Sequence, residues 1–202
     1  MSALPPFAVT YDYRCPWARN MHEQLIAGLR GGADWDVTFL PFSLNQAHVE
    51  EGGTPVWDNP ESGPTLLAAL VSLVVRDEYP DKFLDAHEAL FQARHDQQLD
   101  TREPAVLSQV LLGVGLDDDK ILAAAGEPER NEQFREIHTA AVRDHKVFGV
   151  PTFIVGEAAT FVRLRNRPGN DHEGAIRRVE RVVNLMTEWD ELNEFKWTSI
   201  PQ

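Results

Sequence analysis

The sequence holds a single cysteine, Cys15, among its 202 residues. No disulfide can form within such a chain, and a structural zinc site built from several thiolates is excluded. Long apolar runs are missing too. The most apolar stretch, Leu66 to Val75, is interrupted by Ser72 and stopped by Arg76, at about half the length a bilayer demands. It suits a buried helix, and no membrane partner is expected. The opening residues, Met1-Ser-Ala-Leu-Pro-Pro, lack the basic flank and apolar stretch of a secretion signal, so the expected location is the cytoplasm. Positive charge is scarce: 19 Lys and Arg stand against 32 Asp and Glu, a formal charge of −13. That balance repels phosphate backbones and excludes non-specific nucleic-acid binding. No internal repeat or low-complexity tract interrupts the chain.

What is present is an ordinary globular composition, 43% hydrophobic and 25% charged, in a length that suits one domain, 1–202, carrying an insertion. Phe7 to Tyr13 is rich in β-branched and aromatic residues and predicts a strand. Ala18 to Leu29 has helical spacing, with Met21, Leu25 and Leu29 on one face, and Gly31-Gly32 stops it. Trp35 to Phe42 predicts a second strand ending near Pro41. Residues 43–62 are rich in Gly and Pro and predict a long loop. From about 62 to 146 the pattern is helical, four or five helices in all. Thr101 is the expected N-cap of one of them and Asp117 of another, the latter closed by Gly126. Strand character returns at Val150 to Val155, turns at Gly156-Glu157, and resumes over Thr160 to Arg165 as a hairpin. Asn170-Asp171 caps a last amphipathic helix with Ile176, Val179, Val182, Val183 and Met186. The tail from Leu192, with Phe195, Trp197 and Ile200, is expected to dock on the body. The order is β-α-β, a helical block, then β-β-α: an α/β protein in which two halves of a four-stranded mixed sheet flank a helical insertion.

Cys15 follows a strand and opens a helix, where free backbone N–H groups and the helix dipole favour an anion. A lone cysteine is usually a small buried hydrophobe. Here the position argues for a thiol of lowered pKa, with Pro16 suited to the first turn and Arg14 and Arg19 adding positive potential. Downstream, Gly149-Val150-Pro151-Thr152-Phe153 places a proline at the entry to a strand just after a helix.

Together these elements resemble the DsbA family of thioredoxin-like proteins. The likeness lies in Cys15-Pro16-Trp17-Ala18, in Asp85-Ala-His-Glu-Ala-Leu-Phe-Gln-Ala, and in Val-Phe-Gly-Val-Pro-Thr-Phe at 147–153. It implies a thioredoxin fold, with Cys15 as nucleophile and Pro151 as a cis-proline beside it. Arg14, Pro16, Trp17 and Ala18 on one side, and Val150, Pro151 and Thr152 on the other, would then line the substrate site. The resemblance fails at one place. Where the family carries its resolving cysteine, this chain has Ala18, so no internal thiol can break a mixed disulfide.

The expected activity is therefore that of a thiol oxidoreductase using Cys15 alone, with no tightly bound cofactor. An external low-molecular-weight thiol, glutathione or mycothiol, would release the product. Thiols, thiol conjugates and protein thiols are the expected partners, and an oligomer is compatible with the sequence. Two alternatives stand beside it. One is an enzyme like the kappa-class glutathione transferases and 2-hydroxychromene-2-carboxylate isomerases, which bind a thiol cofactor at this helix start but usually carry Ser there. The other is a non-catalytic binding module of the same fold.

Other constellations are weaker. His22-Glu23 lacks the second His of a zincin motif. The pairs His87/His95 and His138/His145 each suit one helical face without a third ligand, so no metal is expected. His145 is a secondary candidate acid or base near Pro151. Gly113-Val-Gly115 and Gly52-Gly53 match neither a dinucleotide nor a phosphate loop. Trp35 and Trp57 suit the core. Arg163, Arg165 and Arg167 alternate as on a strand, which predicts either a solvated face or a small anion site.

Overall fold

A computed structural model describes residues 4–189, 191, 192 and 194. Strand β1 (Phe7–Tyr11) is one of two inner strands of a four-stranded sheet whose other members are β2 (Val37–Pro41), β3 (Thr152–Val155) and β4 (Ala158–Phe161), in the order β2-β1-β3-β4. β1 runs parallel to β2, with Val9 opposite Phe39. It runs antiparallel to β3, with Val9 opposite Phe153. Those three side chains are buried, Val9 and Phe153 completely. A strand with neighbours on both edges is buried on both faces: Phe7, Val9 and Tyr11 supply one apolar face, and Ala8 and the buried Thr10 the other.

Helix α1 (Pro16–Arg30) crosses from β1 to β2 and ends at Gly31. A short α2 (Leu44–Ala47) and a 3-10 turn (Pro60–Ser62) interrupt what the sequence presents as uninterrupted loop. Ser43 creates α2 by accepting from the Gln46 N–H. Five helices then fill the insertion: α3 (Gly63–Glu78), α4 (Pro80–His95), α5 (Pro104–Gly113), α6 (Asp118–Ala125) and α7 (Pro128–His145). The apolar run of α3 is its centre, with Val71, Leu73, Val74 and Val75 fully buried against α4, α6 and α7. Helix α8 (His172–Glu188) starts at Asp171, which accepts from the Gly174 N–H, and packs Val179 and Val183 toward α1.

Three expectations change. Thr101 is not an N-cap: the Asp100 side chain accepts from the Arg102 N–H and its carbonyl from the Glu103 N–H, so the chain turns there and α5 begins only at Pro104, leaving Thr101 buried. β4 ends at Phe161, because the Val162 N–H closes the ladder on the Pro151 carbonyl and the chain then leaves the sheet. Arg163, Arg165 and Arg167 consequently share no strand face. The docking expected of the tail, with Phe195, Trp197 and Ile200, lies outside the described residues. No described helix is long and apolar enough to cross a membrane.

Candidate active site

Cys15 occupies the N-cap of α1 in extended conformation, and Pro16 is the first helical residue. Its N–H donates to the Asp12 carbonyl at 2.9 Å and its carbonyl accepts from the Arg19 N–H at 3.1 Å. The thiol donates to the Val150 carbonyl, with Sγ and O 3.5 Å apart. The Val150–Pro151 peptide is cis. One residue on, the Thr152 N–H donates to Thr10 Oγ1 at 2.9 Å, and the Thr152 hydroxyl donates to the Gly149 carbonyl at 2.8 Å. The proline loop is thus fastened to β1, whose end leads into Cys15. Pairing of β1 with β3 brings together residues that the sequence separates by 135 positions.

The electrostatics differ from the helix-start argument. Burial pushes the Cys15 thiol up, and the N–H groups of Trp17 and Ala18 and the charge of Arg163 pull it only part of the way back. Cys15 is 8% exposed, and loss of hydration outweighs the dipole there. Arg14 and Arg19 add little positive potential, because Arg14 pairs with Asp12 and Arg19 with Asp96. The resting thiol is therefore protonated and aimed at a carbonyl. Alkylation of native protein with iodoacetamide across a pH series is expected to half-titrate above the range of a free thiol; a midpoint below it would refute this account.

Ala18 is completely buried in the first turn of α1. Pro16 is exposed and Trp17 half-buried. The Arg163 guanidinium lies over the Trp17 ring, 5.3 Å from its centre. Nothing in composition or spacing selects Asn20, yet it builds this arrangement: its buried amide donates to the carbonyls of both Leu164 and Arg165. Gln24 does the same for Asn166, and Glu23 takes Arg167 in two bonds of 2.6 and 2.7 Å. Arg167 also pairs with Asp96. Of the expected arginine trio, Arg167 is consumed in this ion-pair network and Arg163 alone is placed against Trp17. The only signal in the sequence is a cluster of polar residues, Asn20, His22, Glu23 and Gln24, inside a helix that proves buried almost all round.

Behind the site His87, which helical spacing sets on one face with His95, pairs across helices with His22 instead. His22 Nε2 meets the Thr10 carbonyl at 3.1 Å, so it must carry the proton. Its Nδ1 accepts from His87 Nε2 at 2.9 Å, and His87 Nδ1 in turn accepts from the Tyr13 hydroxyl at 2.6 Å. Ser72 donates to the Ala69 carbonyl, which leaves its oxygen to accept from Tyr11. Every donor in this buried cluster has one acceptor. Burial holds His22 down to about 3 and His87 well below its ordinary value, and it pushes Tyr11 up to about 12. His95 bonds the Tyr13 carbonyl, and His138 accepts from the Ser43 N–H. These are fastenings of the site's walls. Among the described residues no group of three or more His, Cys, Asp or Glu is arranged to hold a metal. The Nδ1 of His145 is buried without a partner.

A thiol at a helix start facing a cis-proline loop, in a sheet split by five helices, matches a known family model. Residues 8–173 fit the DSBA-like thioredoxin domain. The chain belongs to that family. Among solved structures, this DSBA-like protein is similar to DsbA from Pseudomonas aeruginosa, with a TM-score of 0.57 and 17% identity over 95% of this chain and 88% of that one. It is similar to MdbA, a thiol-disulfide oxidoreductase from Actinomyces oris, with a TM-score of 0.60 and 20% identity over 86% and 80% of the two chains. A 2-hydroxychromene-2-carboxylate isomerase gives a TM-score of 0.60 and 14% identity over 93% and 99%. At such identities the likeness is one of fold. A sequence comparison with curated proteins finds no match.

Proposed function

We propose that this DSBA-like protein performs monothiol exchange at Cys15 with an external low-molecular-weight thiol. One observation carries the proposal: the thiol sits against the carbonyl that precedes the cis-proline, while the position one helical turn on is Ala18. An extended disulfide substrate pairing with the backbone at Val150 would displace the thiol's own hydrogen bond and lie beside the sulfur. In the first step Cys15, losing its proton to solvent as the substrate displaces its hydrogen bond, attacks a disulfide as the thiolate, forming a new S–S bond as the old one breaks and the leaving thiolate takes up a proton. In the second, an external thiol attacks the mixed disulfide, returning Cys15 and carrying away a new disulfide. Two electrons move between the partners and none remain on the protein. Glutathione and mycothiol are the candidate cosubstrates, protein thiols are further partners, and the cytoplasm, which supplies such thiols, is the proposed location.

The protonated state of Cys15 favours a second reading, that of the transferase and isomerase class. A neutral thiol that donates a hydrogen bond could steady the thiolate of a bound cosubstrate as a hydroxyl does. One experiment separates them. Incubation with oxidised glutathione, followed by intact-mass measurement, is expected to give one adduct per chain in the native protein and none in Cys15→Ser. Retention of thiol-dependent turnover by Cys15→Ser would transfer the assignment to the isomerase or transferase class. Absence of any adduct with either glutathione or mycothiol disulfide would leave a binding module.

A further inference from the structure

We infer that Arg163 is the anion subsite of the Cys15 site and selects a thiol partner bearing a carboxylate. The inference rests on the monothiol reading and names its substrate class. A chain with a net charge of −13 repels an anionic substrate, so any local attraction must come from a cation left unpaired. Around α1 three other candidates are spent: Arg14 is paired with Asp12, Arg19 with Asp96, and Arg167 with Glu23 and Asp96; Arg165 has no ion pair among the described residues either, but Arg163 alone is placed against Trp17. Asp12, the acid in the first of these pairs, also accepts from the N–H groups of Arg14 and Leu44, and its charge opposes that of Arg163 at the Cys15 sulfur. Arg163 has no ion pair and no side-chain hydrogen bond among the described residues.

Its place is nonetheless fixed. On one side the Val162 N–H is bonded to the Pro151 carbonyl at 3.1 Å. On the other, the Asn20 amide holds the Leu164 and Arg165 carbonyls at 3.0 and 2.9 Å. The residue between is bracketed by the proline loop and by the helix that Cys15 opens. The guanidinium lies 5.3 Å from the centres of both the Trp17 and Phe161 rings, and Phe161 is itself buttressed by the ring of Phe148 at 5.2 Å. With no protein acceptor among the described residues, its N–H donors remain available in the fork that a carboxylate accepts in two bonds. Phe148 is 70% exposed, so the same surface offers an apolar floor beside the cation. A carboxylate-bearing thiol such as glutathione suits this surface, whereas an uncharged thiol such as mycothiol gains nothing from it.

The test compares two disulfides on native protein, Arg163→Gln and Arg163→Lys: glutathione disulfide, which is anionic, and 2-hydroxyethyl disulfide, which is neutral. Rates of adduct formation at Cys15 are followed by intact mass at fixed pH and low salt. Arg163→Gln is expected to slow the anionic reagent about tenfold, the neutral one less than about twofold, and Arg163→Lys to recover part of the difference. Added salt should erase the native preference. Equal slowing of both reagents, or no slowing of either, overturns the anion subsite while leaving monothiol exchange standing. A native protein inert to both overturns the exchange reaction and the subsite with it.

Discussion

An Ala18→Cys variant is expected to discharge its own mixed disulfide. Position 18 lies three residues beyond Cys15 in the first turn of α1, and its N–H is one of the two that draw on the Cys15 sulfur. A thiol there would attack the mixed disulfide from within the chain, closing an internal bridge to Cys15 and expelling the outer thiol. The internal thiol acts at an effective concentration of about millimolar or more, so against ~10 μM external thiol the adduct should decay at least about a hundredfold faster. The bridged product has two hydrogens fewer, which intact mass detects. Ala18 is fully buried, so the added sulfur must be accommodated by its neighbours at a cost of about 1–3 kcal/mol; a thermal melt of the reduced variant reports that separately. An adduct as long-lived as that of the native protein would show that residue 18 does not face the sulfur.

The second large effect is on stability. His22 and His87 are buried as neutral rings, His22 at about 3 and His87 well below its ordinary value. In the unfolded chain both return to about 6.5. The unfolded state therefore binds more protons below that pH, and the stability held by the neutral pair is complete above pH 6.5 and lost as pH falls toward the folded values. Two such groups set a slope of about 2–3 kcal/mol per pH unit near pH 5. His138, held at about 4 by burial, adds to it, while Glu23, whose carboxyl burial raises, offsets part of it. Urea denaturation followed by circular dichroism should show the midpoint falling steeply from pH 6.5 to 4.5. Replacing His87 by Leu strands the Tyr13 hydroxyl and His22 Nδ1, at about 2–4 kcal/mol at pH 7, and should roughly halve the slope. Flat stability between pH 7 and 5 would refute the neutral pair.

The sheet and its insertion are legible because their signals are local. Alternating and β-branched residues mark β1 and β3, Pro and Gly mark the helix ends, and Asp117 caps α6 where the residue type predicts. Thr101 fails as a cap because a neighbouring Asp turns the chain first. The site is legible only in part. Cys15 and Pro151 stand out by position, but the thiol's protonation depends on burial, which no residue near Cys15 announces. Asn20, Gln24 and Glu23 look like the polar face of a surface helix; they are interior because loop 162–171 folds over them, offering carbonyls to the two amides and the Arg167 guanidinium to Glu23. The His22–His87 contact joins residues 65 apart, and helical spacing along α4 suggests a different partner for His87. Contacts that close over such separations leave no periodic trace in the chain.

The bond from Cys15 to Val150 also has a consequence for biosynthesis. Cys15 emerges from the ribosome 135 residues ahead of the carbonyl that receives its hydrogen. At about 5–20 residues per second the interval is about 7–27 s. Throughout it the sulfur is hydrated, ionises like that of any free cysteine, and meets the thiols and oxidants around it without a wall. Folding is the step that quiets it, so a modification acquired during translation would have to be accommodated, or expelled, as the last strands close.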